Sequence, residues 1–327
     1  MDVVSDAIAA VRVGRPSSDR VRVHGRWCAR FAPYDGAGFH VVLEGGCRLI
    51  PDGGAAIALG PGDVVLLPHG TGHVIADPAA DAAAVARAVP YEAFAGGGHD
   101  AEPTAAGGGD AGGGGSAMVE MLCGKYRLDR SRAHPLMAEL PKVVHLPHRI
   151  GAHPELRSAI DLLGREMGGH RPGAQVAVTG LLDLLLVYML RSWLAEGTTG
   201  AWPAVLGDPV AAAALRALHA DPAAPWTTER LAAEAGVSRP TLARRFTSLV
   251  GRPPMAYLTW WRLNLAAAQL RDTADPLAAV ARRVGYGSPY ALSHAFSRAF
   301  GTTPGRYRAA RGGVPESPGS GSPMVGS

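Results

Sequence analysis

Cysteine is scarce in this sequence, and the motifs of known catalytic sites are missing from it. Only 3 Cys occur among 327 residues, which argues against structural disulfides in a reducing compartment. No serine nucleophile elbow, Walker loop or zincin helix occurs, so we predict that the protein is not an enzyme. Residues 1–23 lack a basic start followed by an apolar run, which predicts a cytoplasmic protein.

Long uninterrupted apolar stretches are also absent. The most apolar one, LLDLLLVYML, contains Asp183, is followed by Arg191 and is too short to span a bilayer. We therefore predict no membrane partner. An apolar content of 47% is nevertheless enough to bury a core in each of the two or three domains expected for this length.

Lysine is missing from one long stretch of the chain, although that stretch is strongly basic. Residues 209–311 contain fourteen Arg and five acids, a net charge of +9. Because the whole chain carries +4, the remainder carries −5. Positive charge confined to one domain is what neutralisation of phosphates requires. The alternative is a solvated basic surface without a partner.

A pattern of apolar, glycine and proline residues near the C-terminus recurs at an offset of fifty positions. Its members are Leu242, Phe246, Gly251, Pro254 and Tyr257 in the first copy and Leu292, Phe296, Gly301, Pro304 and Tyr307 in the second. Conserved between the copies are a helix's buried stripe and its stop signal. Each copy predicts a helix, a tight turn and a second helix, which can place the second helix in a DNA groove.

The segment between the two copies predicts a rigid spacer. Residues 255–271 contain neither Gly nor Pro and are rich in Ala and Leu, so we expect one helix of roughly 25 Å. Successive major grooves on one face of a duplex are ~34 Å apart. A stiff connector of this order can set two reading helices in adjacent grooves.

Two segments of this region resemble the DNA-binding domain of the AraC/XylS family of bacterial transcription regulators. They are PWTTERLAAEAGVSRPTLARRFTSLVGRPPMAYL and VARRVGYGSPYALSHAFSRAFGTTPGRYR. The resemblance implies a sequence-specific regulator that binds double-stranded DNA, with RNA polymerase as a further partner. Activation is the commoner outcome in that family, with repression as the alternative.

The positions of this resemblance and the helical periodicity of about 100° per residue predict the residues that face DNA. Pro240 and Ala243 offer no hydrogen bonds, so we expect Arg244 to read a guanine in the first copy by bidentate contact. His294 has the alternative of touching only phosphate, and Tyr290 fits a sugar or a thymine methyl equally well. The predicted residues are Arg239, Pro240, Ala243, Arg244 and Thr247, then Tyr290, Ala291, His294, Ser297 and Arg298.

Residues 38–77 carry a different pattern, in which short apolar runs alternate with Gly and Pro. The runs HVVLEG, GCRLIP, AAIAL and DVVLLP predict a small antiparallel barrel or sandwich. The segments FHVVLEGGCRL and LGPGDVVLLPHGTGH resemble the cupin arm of one subfamily of AraC-type regulators. The spacing of the second cupin motif is matched by Gly62, Asp63, Pro68, Gly70 and His73.

The metal chemistry of cupins does not follow from this resemblance. The first cupin motif usually supplies two His and a Glu, but Gly38 stands at the Glu position and the His pair is missing. We expect no metal. The open alternative is a zinc site in which His40 and His73 converge with a cysteine, since mixed His and Cys ligands suit zinc. Otherwise each is a buried histidine held by a hydrogen bond.

The cysteines offer a second kind of sensor. Some regulators that resemble this subfamily sense oxidants or electrophiles through thiols in the arm, and Cys47 and Cys123 are the candidates here. Such a role requires thiolate character. The alternative is that each is a small buried apolar residue in a strand. The candidate sensing residues are therefore His40, Cys47, His73 and Cys123.

These features predict a multidomain α+β protein. A cupin-like antiparallel β-barrel occupies residues 1–150, with an Ala- and Gly-rich disordered insertion at 79–116. Helices fill residues 151–208, the DNA-binding domain with two helix-turn-helix motifs spans 209–311, and 312–327 is a disordered tail.

Two helices are predicted after the barrel, Glu155 to Met167 and about Ala174 to Glu196, and the second of them carries two neighbouring apolar stripes. Together they are wider than one intramolecular contact needs, so we predict a homodimer interface, with ordinary domain packing as the alternative. The stripes are Leu181, Leu184, Leu185 and Tyr188, and Leu182, Leu186, Met189 and Trp193.

We therefore predict a transcription regulator in which a small-molecule or redox signal at the cupin-like arm shifts how the DNA-binding domains are presented. One competing hypothesis is a metal-dependent cupin enzyme fused to a DNA-binding module. Another is an architectural protein that binds all DNA sequences alike.

Overall fold

A computed structural model of the chain describes Ser5, Ile8 and residues 14–96, 118–128, 137, 140–169, 171–197 and 201–312. The chain divides into two compact units, one of residues 4–207 and one that begins at Asp208. The second unit starts one residue before the predicted DNA-binding domain. The predicted sensor domain and the predicted helical segment share the first unit.

Two five-stranded sheets form the β part of the first unit. The strands are β1 (Ser17–Val23), β2 (Cys28–Phe31), β3 (Gly36–Glu44), β4 (Cys47–Pro51), β5 (Ile57–Leu59), β6 (Val64–Leu67), β7 (His73–Ala76), β8 (Val89–Pro90), β9 (Val119–Arg127) and β10 (Val144–Leu146). Their order is β1-β9-β3-β6-β10 in one sheet and β5-β4-β7-β2-β8 in the other. All neighbours pair antiparallel except the parallel pair β2 and β8. The predicted antiparallel β-fold is confirmed.

Side chains from both sheets meet in one apolar core. Val42 and Leu67 from the first sheet belong to the same buried cluster as Leu49 and Ile75 from the second. Because strand residues alternate between faces, even-numbered residues of β3 point into this core. The position of the missing cupin glutamate, Gly38, therefore faces the interior on the same side as Val42.

The start of the predicted disordered insertion is ordered, so that prediction is wrong for residues 79–96. Helix α1 (Ala82–Ala86) is capped by Asp81, which accepts a hydrogen bond from the Ala84 backbone N–H at 2.7 Å. β8 follows, and α2 spans Tyr91–Gly96. Alanines favour a helix, and Tyr91 stacks on Phe31 at 4.4 Å between ring centroids. Residues 97–116 of the insertion lie outside the described residues.

Two helices cover the outer face of the first sheet. They are α3 (Pro154–Met167) and α4 (Ala174–Glu196), followed by α5 (Ala201–Gly207). The Tyr126 hydroxyl on β9 donates to the Leu182 carbonyl of α4 at 2.7 Å. The Arg20 guanidinium on β1 donates to the Gly164 carbonyl of α3 at 2.9 Å. The helices predicted as a separate segment are thus part of the first unit's core.

The two apolar stripes of α4 have different surroundings. The second stripe is buried throughout, as Leu182 and Trp193 illustrate. Of the first stripe, Leu185 is buried but Leu184 is 47% exposed, and Val176 is 80% exposed on the same side. Domain packing therefore accounts for one stripe and leaves part of the other uncovered.

Among the described residues, α4 is the one helix whose length of 23 residues and apolar composition would suffice to cross a membrane. The run LLDLLLVYML was predicted to be too short to span a bilayer, and this prediction does not apply to the whole helix. Its packing against the first sheet and α3 gives a second reason for an apolar composition. Core helices of soluble proteins meet the same two criteria.

Helices alone build the described part of the second unit. They are α6 (Pro209–Ala220), α7 (Thr228–Glu234), α8 (Arg239–Val250), α9 (Pro254–Asp272), α10 (Leu277–Arg283), α11 (Pro289–Phe300) and α12 (Pro304–Gly312). α7 with α8 and α10 with α11 form the two predicted helix-turn-helix motifs. The predicted spacer is α9, whose 19 residues give a length of about 28 Å. The rest of the predicted tail, 313–327, lies outside the described residues.

Candidate functional site

The first reading helix, α8, is held by its apolar side and leaves a polar face outward. Ser238 caps it by accepting a hydrogen bond from the Thr241 backbone N–H, and Leu242 and Phe246 are completely buried. Opposite them, Arg239, Pro240 and Arg244 are exposed, whereas Ala243 and Thr247 are half-buried. The structure thus presents the predicted residues on one side of the helix.

The second reading helix, α11, has the same construction with a different outward face. Ser288 accepts a hydrogen bond from the Ala291 backbone N–H at 3.1 Å, and Leu292 and Phe296 anchor the buried side. Tyr290 is 80% exposed. The two helices therefore offer different chemistry on their outward faces. The other outward residues are Ala291, His294 and Arg298, which are exposed, and Ser297, which is half-buried.

Two arginines of the first copy have partners that the sequence did not reveal. Arg239 pairs with Glu229 of α7 at 2.9 Å, so the guanidinium starts from an ion pair on the exposed surface. Arg245 pairs with Asp208, which also caps α6 by accepting the Ala211 backbone N–H at 2.9 Å. Arg245 therefore ties α8 to α6 and is a structural residue.

The net charge of the second unit overstates the number of guanidinium groups that are available to DNA. Several are used inside the unit, such as that of Arg262, which donates to the Pro222 and Ala224 carbonyls at 2.6 and 2.8 Å. In the described part of the second unit, five exposed arginines make no ion pair, no side-chain hydrogen bond and no contact with an aromatic ring. They are Arg216, Arg244, Arg282, Arg298 and Arg306.

Inside the β-sheet unit, three of the four candidate sensing residues come together. His40 on β3 has its Nδ1 atom 3.1 Å from the Cys123 sulfur and its Nε2 atom 2.8 Å from Nε2 of His73. Nδ1 of His73 lies 2.9 Å from the Thr71 carbonyl oxygen. The fourth residue, Cys47, is buried in the apolar core of the same unit. We call the first three the buried triad, Cys123–His40–His73.

The protonation of the buried triad follows from these contacts. A carbonyl only accepts, so His73 carries its proton on Nδ1 and leaves Nε2 as an acceptor. His40 must then donate from Nε2 and accept at Nδ1, where the Cys123 thiol donates. One directed chain of hydrogen bonds runs from the Cys123 thiol to the Thr71 carbonyl.

Burial and ring stacking keep the triad neutral. Burial, with the charge of His73 as a second cause, holds the pKa of His40 well below its ordinary value. Burial lowers the pKa of His73 to about 4, against the opposing effect of the Thr71 carbonyl. Phe31 stacks on His73 at 4.7 Å and meets His40 edge-on at 4.8 Å between centroids. Both imidazoles are thus neutral, buried and packed against the ring of Phe31.

The two buried thiols are protonated as well. Burial raises the pKa of Cys123 well above its ordinary value, and burial raises the pKa of Cys47 to about 12. Because thiolates are the reactive form, both thiols are weak nucleophiles in this state. Of the two, Cys123 has a base within hydrogen-bond distance, the His40 imidazole.

The arrangement does not fit a zinc site of three or four ligands. The two nitrogens of His40 face different partners, so Cys123 and His73 do not share a centre with it. Among the described residues, no group of three or more His, Cys, Asp and Glu is placed to hold a metal ion.

A tyrosine occupies the space that the cupin glutamate would need. A Cβ atom on Gly38 would lie 2.8 Å from the Tyr34 hydroxyl oxygen. That oxygen is buried and has no hydrogen-bond partner among the described residues, and burial raises the pKa of Tyr34. The sequence revealed the missing glutamate but not the phenol, because the two residues meet only through the turn that precedes β3.

Comparisons with known proteins indicate a cupin domain followed by a helix-turn-helix domain. A cupin family model matches residues 2–195, and a helix-turn-helix domain model matches residues 231–310. A protein of Streptomyces antibioticus described as an AraC-like transcription regulator is 36% identical over 317 residues, which cover 94% of this chain and 98% of that protein. The RCS-specific HTH-type transcriptional activator RclR of Escherichia coli (strain K12) is 28% identical over 274 residues, 83% of each protein.

A solved structure is also similar to part of the chain. The crystal structure of a transcriptional regulator from Chromobacterium violaceum, with an AraC-type DNA-binding domain, matches with 30% identity and a TM-score of 0.31. It covers 34% of this chain and 96% of that chain.

Proposed function

Because this chain belongs to the AraC-like family of transcription regulators, we propose that it acts in the cytoplasm as a homodimer in which each subunit reads two different half-sites on double-stranded DNA. A signal received by the β-sheet unit controls this binding. We further propose activation of transcription, with RNA polymerase as a partner. The enzyme alternative is not favoured, since the relatives are regulators.

The observation that carries the proposal is the pair of outward helix faces in one unit. Arg244 on α8 is exposed and makes no ion pair in the described part of the chain, so its guanidinium is available for bidentate contact to a guanine. On α11, Tyr290 and His294 offer an aromatic ring and an imidazole to a different base sequence. Arg298, one turn beyond His294, suits a phosphate.

For the signal, we propose the buried triad as the responsive centre if the signal is an oxidant. Cys123 is the thiol with a neighbouring base at 3.1 Å, and the E. coli relative is named as specific for RCS. Because burial raises the pKa of Cys123, the core must open before this thiol can be oxidised. A signal that favours the opened arrangement would shift the population of DNA-binding states.

For the homodimer, we propose that two copies meet through the exposed side of α4. Val176, Gly180 and Leu184 follow one another at four-residue spacing and are all exposed, which gives an apolar row with a small residue at its middle. The half-buried Leu181 and Tyr188 flank this row. Such a row allows two helices to approach closely.

Selection of genomic DNA fragments by the purified full-length protein tests the function. The expected result is a shared motif with two different half-sites about one helical turn apart. The motif's neighbouring genes would also narrow the signal. Equal recovery of all fragments at moderate ionic strength would identify a nonspecific architectural protein and contradict the proposal.

A further inference from the structure

A cavity beside the β1–β2 turn belongs to neither the DNA-reading faces nor the buried triad. Its volume is about 570 Å³, within the range of ~300 to 1,000 Å³ that holds small organic ligands. Its inner side is formed by Val23 and Trp27, which are 2% and 8% exposed. Its outer side is formed by α1 and by Val89 and Ala93 on the segment that follows α1.

The acidic groups at this cavity have hydrogen-bond partners within the protein, whereas two basic groups do not. Asp77 accepts the Trp27 backbone N–H at 3.1 Å and the Ala79 backbone N–H at 2.9 Å, and Asp81 caps α1. Both carboxylates therefore serve the fold. Arg26 and Arg87 are exposed, and neither guanidinium has a partner in the part of the chain that the structure describes.

We propose that this cavity binds a small amphipathic anion, a carboxylate or phosphate ester with an apolar body. The anionic group pairs with the guanidinium groups of Arg26 and Arg87, which match carboxylate and phosphate oxygens through paired N–H donors. The apolar body lies against Val23, Trp27 and Val89.

The cavity is also connected to the buried triad. Val89 lines the cavity, and Tyr91, two residues further on, stacks on Phe31 at 4.4 Å. Phe31 in turn stacks on His73 at 4.7 Å. A ligand that moves the segment from Val89 to Tyr91 would change the packing over the triad. The inference that this cavity receives the signal rests on the proposed function. The inference that the cavity binds an anion does not.

Three fluorescent probes of one shape test the proposal with the full-length protein. They are 1-pyrenebutyrate (an anion), 1-pyrenebutanol (neutral) and 4-(1-pyrenyl)butylamine (a cation). For a ligand of this size we expect the anion to bind with a Kd on the order of 10 µM. The neutral and cationic probes should bind at least about tenfold more weakly.

Matched variants assign the binding to this cavity. Arg26→Gln and Arg87→Gln should each weaken binding of the anion about fivefold, and the double variant about 25-fold, since each removes one charge-assisted contact. Binding of the neutral probe should not change. Arg191→Gln removes an exposed guanidinium on α4 and should have no effect. Ala93→Phe fills the outer side and should weaken all three probes.

Three results would overturn the proposal. They are equal affinity for the anion and the neutral probe, anion binding that survives in the Arg26→Gln/Arg87→Gln variant, and no saturable binding up to 1 mM probe (about 100 times the expected Kd). DNA binding by the same samples is measured in parallel. A variant that no longer binds the anion but still selects the DNA motif leaves the proposed function intact. A protein that binds the anion but selects no DNA motif contradicts the proposed function and leaves the anion site intact.

Discussion

The imidazoles of His40 and His73 face each other through their Nε2 atoms at 2.8 Å in the core of the β-sheet unit. Two imidazoles can share this contact only if one carries a proton there and the other does not. The Thr71 carbonyl decides which, because it requires the proton of His73 on Nδ1. Each ring has one nitrogen that carries no proton and accepts a hydrogen bond. Protonation of either ring at that nitrogen would break the chain of hydrogen bonds.

This contact predicts loss of stability in mild acid. The pKa of His73 is about 4 in the folded protein and 6.5 without perturbation, so the unfolded chain binds the proton more readily. The contribution is fully present above pH 6.5 and falls as the pH drops from 6.5 toward 4, by about 3 kcal/mol in total. Urea unfolding at pH 7 and pH 5 measures it. His73→Gln should reduce the difference, and an unfolding midpoint that is the same at both pH values would contradict it.

The packing of Tyr34 over Gly38 predicts a paired effect on stability. Gly38→Ala places a Cβ 2.8 Å from the Tyr34 hydroxyl and should cost about 1 to 3 kcal/mol of unfolding free energy. Tyr34→Phe removes a buried hydroxyl that has no partner among the described residues and should be neutral or stabilising. The double variant should recover part of the loss. Additive effects in denaturant unfolding would show that the two groups do not touch.

The different settings of two arginines predict different effects on DNA binding. Arg244→Ala should cost ~1 to 3 kcal/mol at one base-pair position and relax the preference there. Arg298→Ala should weaken binding to all sequences alike. Competition binding against operators changed one base pair at a time measures both. If Arg244→Ala weakens all operators equally, its assignment to a base is wrong.

The thiol hypothesis predicts that Cys123→Ser and Cys47→Ser each abolish an oxidant response. A serine hydroxyl can still donate to His40 Nδ1, so Cys123→Ser should fold normally. The measurement is operator binding before and after treatment with hydrogen peroxide or hypochlorite. Cys28→Ser, at a half-buried thiol, is the control and should keep the response. A response that persists in both of the other variants would remove the thiol hypothesis.

The exposed row on α4 predicts that Leu184→Glu yields a monomer. Leu184 is 47% exposed, so the charge should be tolerated in the monomer but not between two apolar faces. Ile150→Glu, at a residue that is 99% exposed outside α4, is the matched control and should remain dimeric. Light scattering at micromolar concentration distinguishes the two. A wild-type protein that is monomeric under these conditions would contradict the proposed dimer.

Local signals were sufficient for the second unit. Capping residues, glycine stops and an apolar stripe repeat within short stretches, and the structure has the predicted helices and outward faces there. Ion pairs such as Arg245 with Asp208 were not predictable, because the partners are 37 residues apart and charge alone does not specify pairing. The ordered segment 79–96 was missed for a similar reason, since its alanines form a helix only with the Asp81 cap and the contact between Tyr91 and Phe31.

The sequence by itself determined the class of this protein: two helix-turn-helix motifs behind a small β-sheet domain, with positive charge confined to the C-terminal part. Periodicity and turn residues act over a few positions, so they can be recognised without a structure. Only the tertiary structure decided that Cys123, His40 and His73 join in one chain, that Tyr34 fills the place of a missing carboxylate, and that Arg26 and Arg87 border one cavity. The contacts of the triad and the lining of the cavity depend on strand register and sheet packing, which bring together residues that are distant in the sequence. The contact between Tyr34 and Gly38 depends on the conformation of the turn before β3. None of these relationships leaves a local pattern in the sequence.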